Sequence, residues 1–136
     1  MKPVRKHSWT LSPKKAIQLQ KQLAKKYITN ASPSPPNMKS LQYVCGADVS
    51  YSRKTDTCYA AVVVFHYPSM EIAETSTAVK KSTYPYVPGL LTFREAPPLI
   101  AAFARLKHEP DLLVFDGQGA AHPRRFGLAA HIGVIF

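Results

Sequence analysis

The sequence predicts an α/β protein built on one mixed β-sheet. Three observations support this prediction: runs of β-branched and aromatic residues fill the middle of the chain, stretches with helical periodicity surround them, and a short apolar run near the end is typical of a buried parallel strand. With 136 residues, 46% of them hydrophobic and 19% charged, the chain has enough apolar residues for one globular core.

Residues 1–40 carry most of the net charge of +10, because they hold nine of the 18 Lys and Arg residues and none of the eight acids. Within them, SPKKAIQLQKQLAKKY predicts a helix with Ser12 as its N-cap and Pro13 at the first helical position. A Pro- and Ser-rich linker, TNASPSPPNMKS, follows the helix. The basic segment is either a solvated face or an arm that binds a polyanion, and composition leaves both open.

Residues 41–136 contain the predicted sheet. The runs LQYVCGADVSY and CYAAVVVFHY predict two strands joined by a hairpin loop, RKTDT, and MEIAETSTAVKKS predicts a third. Three consecutive strands of this kind indicate an antiparallel meander. Cys45 and Cys58 are expected to be buried thiols, since no CxxC or Cys/His cluster accompanies them.

A helix, a strand and a second helix are predicted after the meander. LTFREAPPLIAAFARLKHE has Thr92 as its expected N-cap, with Glu95 three residues later in a capping-box spacing. PDLLVFDG predicts the parallel strand, and PRRFGLAAHIGVIF predicts a helix from its first residues. The order β-β-β-α-β-α is the opening order of a ribonuclease-H-like α/β sheet, which is therefore the predicted fold.

Three acids lie where predicted strands end or a helix starts. Asp48 interrupts an apolar strand, where a carboxylate is costly unless it is paired, hydrogen-bonded or bound to metal. Asp116 ends the parallel strand at the edge where open α/β sheets place ligands, and Glu95 opens the preceding helix. Taken singly, Asp48 is interpreted as a strand-edge acid, Asp116 as a turn former and Glu95 as a capping residue. Together they favour a Mg²⁺ site for phosphodiester hydrolysis.

Other residues near Asp116 suit a nucleic-acid partner. Gly117 and Gly119 would let backbone amides approach a ligand. Arg124 and Arg125, at the predicted helix start, would either hold phosphate or form a solvated basic turn.

Aromatic and histidine side chains leave two interpretations each. Tyr84 and Tyr86, in the loop YPYVPG, either insert a ring into a base stack or pack within the loop. His122 and His131 either contact phosphate or a metal-bound water, or are ordinary surface or core histidines.

Three ordered segments, GADVSY, YPYVPGLLTFREAPPL and PDLLVFDGQGAAHPRRFGLAAHIGV, resemble successive motifs of the endonuclease V family. This family comprises DNA-repair nucleases that act at deaminated bases, chiefly inosine. The resemblance implies a ribonuclease-H-like fold and cleavage of the second phosphodiester bond on the 3′ side of the lesion, with Mg²⁺ or Mn²⁺. It leaves open whether inosine is recognised in DNA or in RNA.

The resemblance also implies residue roles. The metal-binding and catalytic acids would be Asp48, Glu95 and Asp116. The wedge that separates the strands would be Pro85, Tyr86, Val87 and Pro88. The pocket for the flipped base would comprise Gly89, Leu91, Gly117, Gln118 and Gly119, with His122 close by. A mispaired inosine costs less to extrude than a paired base.

One departure concerns length. Members of the family continue beyond the position of Phe136 and supply more sheet and helix, a basic residue and a fourth polar group at the metal site. Residues 41–136 would therefore be the N-terminal portion of an endonuclease V domain, incomplete at the C-terminus, with an exposed sheet edge and core and no activity alone.

Two rival functions follow from that departure. The first is a non-catalytic fragment that binds inosine or nucleic acid. The second is a different ribonuclease-H-like nuclease, such as a resolvase-like enzyme or an inosine-specific RNase. The sequence shows no transmembrane run and no secretory signal, so a cytoplasmic monomer is expected.

Overall fold

The computed structural model describes residues 1–28 and 37–136, so most of the predicted Pro/Ser-rich linker lies outside the described residues. The helices are α1 (Pro13–Leu23), which continues as a π-helical segment (Ala24–Ile28), α2 (Leu91–Phe103) and α3 (Leu128–Ile135), with a short 3₁₀ turn at Met38–Ser40. The strands are β1 (Tyr43–Ser52), β2 (Thr57–His66), β3 (Ile72–Lys81) and β4 (Leu112–Phe115).

The four strands form one mixed sheet in the order β3-β2-β1-β4. β1, β2 and β3 are antiparallel neighbours, whereas β4 runs parallel to β1 with Cys45 opposite Leu113. The predicted meander, hairpin and parallel strand are therefore confirmed. Richness in β-branched and aromatic residues favours such strands, because these side chains pack well on a pleated surface.

One face of the sheet forms the core against α2. Buried side chains from β1 and β2 pack there with Ala96, Leu99 and Phe103 of the helix. Both cysteines are buried thiols, as predicted. The opposite face is open and carries Asp48 on β1 together with exposed Tyr59, Val79 and Val114.

The position of Asp48 corrects an expectation. The carboxylate does not interrupt a buried face, because it alternates with buried Cys45 and Ala47 and lies on the exposed side of β1. No desolvation penalty therefore requires a partner for it.

The N-terminal segment packs onto the domain. α1 buries Ala16 against Tyr84, Leu90 and Phe93, and its predicted start at Pro13 is confirmed, although the Ser12 side chain makes no capping hydrogen bond. The backbone N–H groups of Val4 and Arg5 donate to the carbonyl oxygen of Ile135.

Two helix starts differ from the predictions. α2 begins at Leu91, so Thr92 is not its N-cap but a buried residue of the first turn, and within the described chain no side chain caps that end. α3 begins at Leu128 rather than at Pro123, because turns occupy the intervening residues and Arg125 has a left-handed φ of 54°.

His131 is fully buried in α3. The interpretation of this residue as a phosphate or water contact is therefore wrong, and the core-histidine interpretation is correct. None of the helices formed by residues 1–28 and 37–136 is long and apolar enough to cross a membrane.

Candidate active site and base pocket

The structure brings the three predicted acids near one another at the C-terminal end of β4. Parallel pairing sets Ala47 of β1 opposite Phe115 of β4, so Asp48, in the middle of β1, lies beside Asp116, the residue after β4. Glu95 lies in the first turns of α2, close enough to both acids for their charges to act on it. Asp48 and Asp116 are exposed, and Glu95 is half-buried.

Glu95 lies in the field of the other two acids. Burial and, after it, the charges of Asp48 and Asp116 together raise the pKa of Glu95 to about 7, against the opposing charge of the Arg94 guanidinium. Near neutral pH, Glu95 is therefore partly protonated. A cation placed between the acids would favour its ionised form.

The donor set fits a hydrated ion better than a closed protein cage. Among the residues that the structure describes, no three His, Cys, Asp or Glu side chains are close enough to enclose a metal by themselves. Mg²⁺ is usually held by one or two carboxylates together with waters and substrate phosphate. Two acids on adjacent strands, Asp48 within β1 and Asp116 directly after β4, with a third nearby, meet that requirement.

A cavity of about 580 Å³ lies beside Glu95 and is lined by Tyr51, Arg53, Tyr86, Leu91, Arg94 and Glu95. The Arg94 guanidinium lies 3.1 Å from the Tyr51 ring centroid, and the Tyr51 hydroxyl donates to Asp56. Arg94 is only 9% exposed. This stacked pair therefore places the cationic Arg94 guanidinium next to Glu95. In the described chain, Arg94 Nη2 has no hydrogen-bond partner, so no carboxylate binds it there.

A second cavity, of about 290 Å³, contains most of the residues expected to receive a base. Its lining comprises Tyr86, Val87, Gly89, Leu91, Thr92, Gly117, Gln118, His122, Gly127 and Leu128. Every residue of the predicted pocket is present except Gly119. Tyr86 and Val87 were predicted for the wedge only. Thr92, Gly127 and Leu128 also line this cavity, although no pocket role was predicted from the sequence for any of them.

The wedge loop presents one aromatic ring. Tyr86 is 68% exposed at the mouth of both cavities, whereas Tyr84 is buried against Phe93. Packing within the loop is thus the correct interpretation for Tyr84. Pro85 and Pro88 are exposed and Val87 is half-buried, so the loop is a surface projection.

Glycines allow two backbone segments of the pocket to meet. The Gly127 N–H donates to the Gly119 carbonyl, and a Cβ atom at position 127 would lie 2.1 Å from the Gln118 carbonyl oxygen. A side chain there would collide with backbone. The only sequence signal for this requirement was a glycine just before the last helix.

His122 is a buried wall of the pocket rather than a surface group. Its Nδ1 accepts from the Arg124 N–H at 3.1 Å, so in the neutral ring the proton is on Nε2. Burial, followed by the positive charge of Arg124, lowers the pKa of His122. The neutral form is therefore favoured near pH 7.

The two arginines differ in role. The Arg124 guanidinium faces inward, where Nε donates to Gln20 Oε1 at 2.8 Å and Nη2 donates to the Gly89 carbonyl at 2.6 Å. Arg125 is exposed in the turn before α3. Arg125 remains a predicted phosphate contact. The Arg124 guanidinium is instead engaged in hydrogen bonds to Gln20 and Gly89.

A mixed sheet of this order, with one acid in the middle of β1 and another directly after the parallel strand β4, defines a ribonuclease-H-like α/β protein. Residues 20–136 match the family model described as Endonuclease V, and the chain belongs to the endonuclease V family.

Relatives and solved structures agree with that assignment. The chain is 43% identical over 131 residues to Endonuclease V of Gloeobacter violaceus, covering 95% of this chain and 51% of the relative. The crystal structure of Endonuclease V from Streptomyces avermitilis superposes with a TM-score of 0.82 at 41% identity, covering 93% of this chain and 54% of that one.

A Ciona intestinalis Endonuclease V has been solved with a 23mer DNA that contains an inosine followed by a ribo-adenosine. It superposes with a TM-score of 0.78 at 31% identity, covering 91% of this chain and 54% of its own. The present chain thus spans about half the length of the curated relatives it matches.

Proposed function

We propose that this chain carries the lesion pocket and the carboxylate centre of a metal-dependent endonuclease that acts on inosine-containing nucleic acid. The observation that supports this most is the adjacency of two features. Asp48, Glu95 and Asp116 lie near one another at the C-terminal end of β4, and Leu91 and Tyr86 line both the cavity beside Glu95 and the 290 Å³ pocket.

The chemistry assigned to the acids follows from their environment. Asp48 and Asp116 would hold a Mg²⁺ or Mn²⁺ ion, which when bound can activate water and offset charge on the leaving oxygen. Glu95, with its raised pKa, would ionise beside that charge. Cleavage of the second phosphodiester bond 3′ to the lesion is the position implied by the motif resemblance.

The pocket would receive the extruded base. Its walls of bare backbone at Gly89 and Gly117 allow close approach to the edge of a flat ring, and Gln118 adds an amide side chain that can both donate and accept hydrogen bonds. Tyr86, exposed at the rim, would occupy the space that the base leaves in the stack. Arg125 would contact a flanking phosphate. The DNA complex of the Ciona relative supports an inosine-containing strand as the partner.

A non-catalytic inosine-binding protein is the second candidate, because the residues that the structure describes form the pocket but hold no group of three His, Cys, Asp or Glu side chains that could bind a metal by themselves. It retains the pocket described above and would need no metal. The two candidates differ in one measurable property, which is whether the strand is cut.

The test compares metal-dependent nicking of a strand with a single deoxyinosine. Asp48→Asn and Asp116→Asn keep side-chain size but remove a metal-binding charge, so each is expected to lower the nicking rate at least about 100-fold while inosine binding persists. Glu109→Gln is the control, because Glu109 is exposed and outside both cavities.

Each outcome separates the candidates. Wild-type nicking that both Asn variants retain in full would refute the metal assignment. Inosine-selective binding without nicking at any metal concentration would establish the non-catalytic binder. Equal nicking of undamaged strands would indicate another ribonuclease-H-like nuclease, and an otherwise identical inosine-containing RNA strand would decide the polymer.

A further inference from the structure

Gln20 is a glutamine with no solvent exposure on a helix that is otherwise basic outside. Its Nε2 donates to the Gly89 carbonyl at 3.0 Å and to the Phe126 carbonyl at 3.2 Å. Its Oε1 accepts from Arg124 Nε at 2.8 Å. Burying an amide is costly unless its hydrogen bonds are made, and here both ends of the amide are bonded.

The Gly89 carbonyl is the point where these interactions converge. It accepts from Gln20 Nε2 and also from Arg124 Nη2 at 2.6 Å. Arg124 thereby contacts both Gly89 and Gln20, which closes a three-membered network between α1, the wedge loop and the turn before α3. Both bonds that Arg124 makes in this network are donated by its charged guanidinium. Such charge-assisted hydrogen bonds are stronger than those between neutral groups.

Gly89 is also part of the pocket wall, in a left-handed backbone conformation that residues with a side chain rarely adopt. Its φ is +77°, and a Cβ atom built on it would lie 2.3 Å from Arg124 Nη2 and 3.3 Å from His122 Nε2. The wall at this position is therefore bare backbone with Arg124 directly behind it. Any displacement of the Gly89 peptide changes the width of the pocket.

We propose that Gln20 and Arg124 are positioning residues for the base pocket, and that α1 belongs to the recognition machinery through Gln20. They act by fixing the Gly89 carbonyl, and with it the segment from Pro85 to Leu91 that forms the wedge and one pocket wall. The proposal rests on the proposed function in that the pocket is taken to receive the base.

Gln20→Met tests the proposal, because it keeps approximate volume and helix propensity but removes all three hydrogen bonds of the amide. Gln22→Met is the matched control, since Gln22 is exposed on the same helix. The first measurement is the ratio of the Kd values for strands that carry adenosine or inosine at one position, without divalent cation so that no strand is cut.

We expect Gln20→Met to lower this discrimination ratio about 3- to 10-fold, the effect of losing one or two net hydrogen bonds, and Gln22→Met to leave it unchanged. A purely structural role would weaken binding of both strands alike. An unchanged ratio in folded Gln20→Met would overturn the proposal.

The second measurement is hydrogen–deuterium exchange of the protein without nucleic acid. Gln20→Met should speed exchange in residues 82–92 but not in β2. Uniform acceleration through the sheet, or no change in residues 82–92, would refute local positioning. This result is independent of the ligand. If the wild-type chain does not distinguish inosine from adenosine, the proposed function is wrong. The exchange measurement would still show whether Gln20 holds residues 82–92 in place.

Arg124→Lys covers the case in which Gln20→Met does not fold. A lysine keeps the charge but cannot hold the Gly89 carbonyl and Gln20 Oε1 together in the planar geometry of a guanidinium. The same local increase in exchange over residues 82–92 is expected, and wild-type exchange there would contradict the network.

Discussion

His131 shows how one buried residue joins the N-terminal arm to the last helix. Its Nε2 lies 2.7 Å from His7 Nε2, and His7 Nδ1 lies 2.9 Å from the Ser8 carbonyl oxygen. Because a carbonyl only accepts, His7 Nδ1 carries the proton, so His131 Nε2 is the donor between the rings. Burial, followed by the charge of His7, lowers the pKa of His131 to about 3.

The low pKa of His131 predicts a pH-dependent stability. The unfolded chain takes up the proton near the ordinary histidine pKa of 6.5, whereas in the folded chain the pKa of His131 is about 3. This contribution is complete above pH 6.5 and is lost progressively as the pH falls. His131→Phe should reduce the slope of unfolding free energy against pH between 6.5 and 5, measured by urea titration with Trp9 fluorescence.

The matched control for this slope is Ile132→Val, at the adjacent buried position. It should cost about 0.5–1.5 kcal/mol at every pH because it removes one methyl group and no titrating group. The role assigned to His131 would be wrong if the Phe variant kept the full wild-type slope.

At the scale of the element, the glycine just before α3 and the glycine within α3 differ in whether a side chain would fit. Gly127 meets the Gln118 carbonyl, whereas a Cβ atom at Gly133 would meet no atom of the described chain within 4 Å. Gly127→Ala should therefore force the Gln118 backbone aside at a cost of about 1–3 kcal/mol.

Gly133→Ala should stabilise by up to about 1 kcal/mol, because alanine is the better helix former. Thermal unfolding of the two variants side by side checks both signs. Equal destabilisation by both would show that the tight approach of residues 118 and 127 is not what requires glycine.

At the scale of the whole molecule, the two faces of the sheet have different environments. Phe103 is fully buried, with ring centroids 6.1 Å from Phe115 and 5.1 Å from Phe136, whereas Tyr59 on the opposite face is 47% exposed. Phe103→Ala should cost about 3–5 kcal/mol of unfolding free energy, a large part of the stability of a typical domain.

Tyr59→Ala is the companion variant on the open face and should change the unfolding free energy by about 0.5 kcal/mol or less. Urea denaturation of both variants provides the comparison. A loss at Tyr59 as large as that at Phe103 would contradict the open face and show that the apolar outer surface of the sheet is covered in solution.

The order of strands and helices along the chain could be predicted from sequence because it depends on short-range patterns. Runs of β-branched and aromatic residues predict strands, and the residue that follows a parallel strand, here Asp116, must lie at the C-terminal end of that strand. The ends of α2 and α3 could not be predicted, since Thr92 and Pro123 carry start signals that tertiary packing overrides. The roles of Gln20 and Arg124 depend on partners 35 to 106 positions away, and that of Gly127 depends on backbone approach, so no local signal reports them.

The sequence by itself determined the strand and helix order, the family and the residue types available for chemistry, because periodicity, motif and composition are properties of the chain. Only the tertiary structure decided that Asp48 is exposed, that Arg124 faces inward, that His131 pairs with His7 and that the helix of the basic arm reaches the pocket wall through Gln20. The physical reason is that burial and hydrogen bonding are set by which distant segments meet.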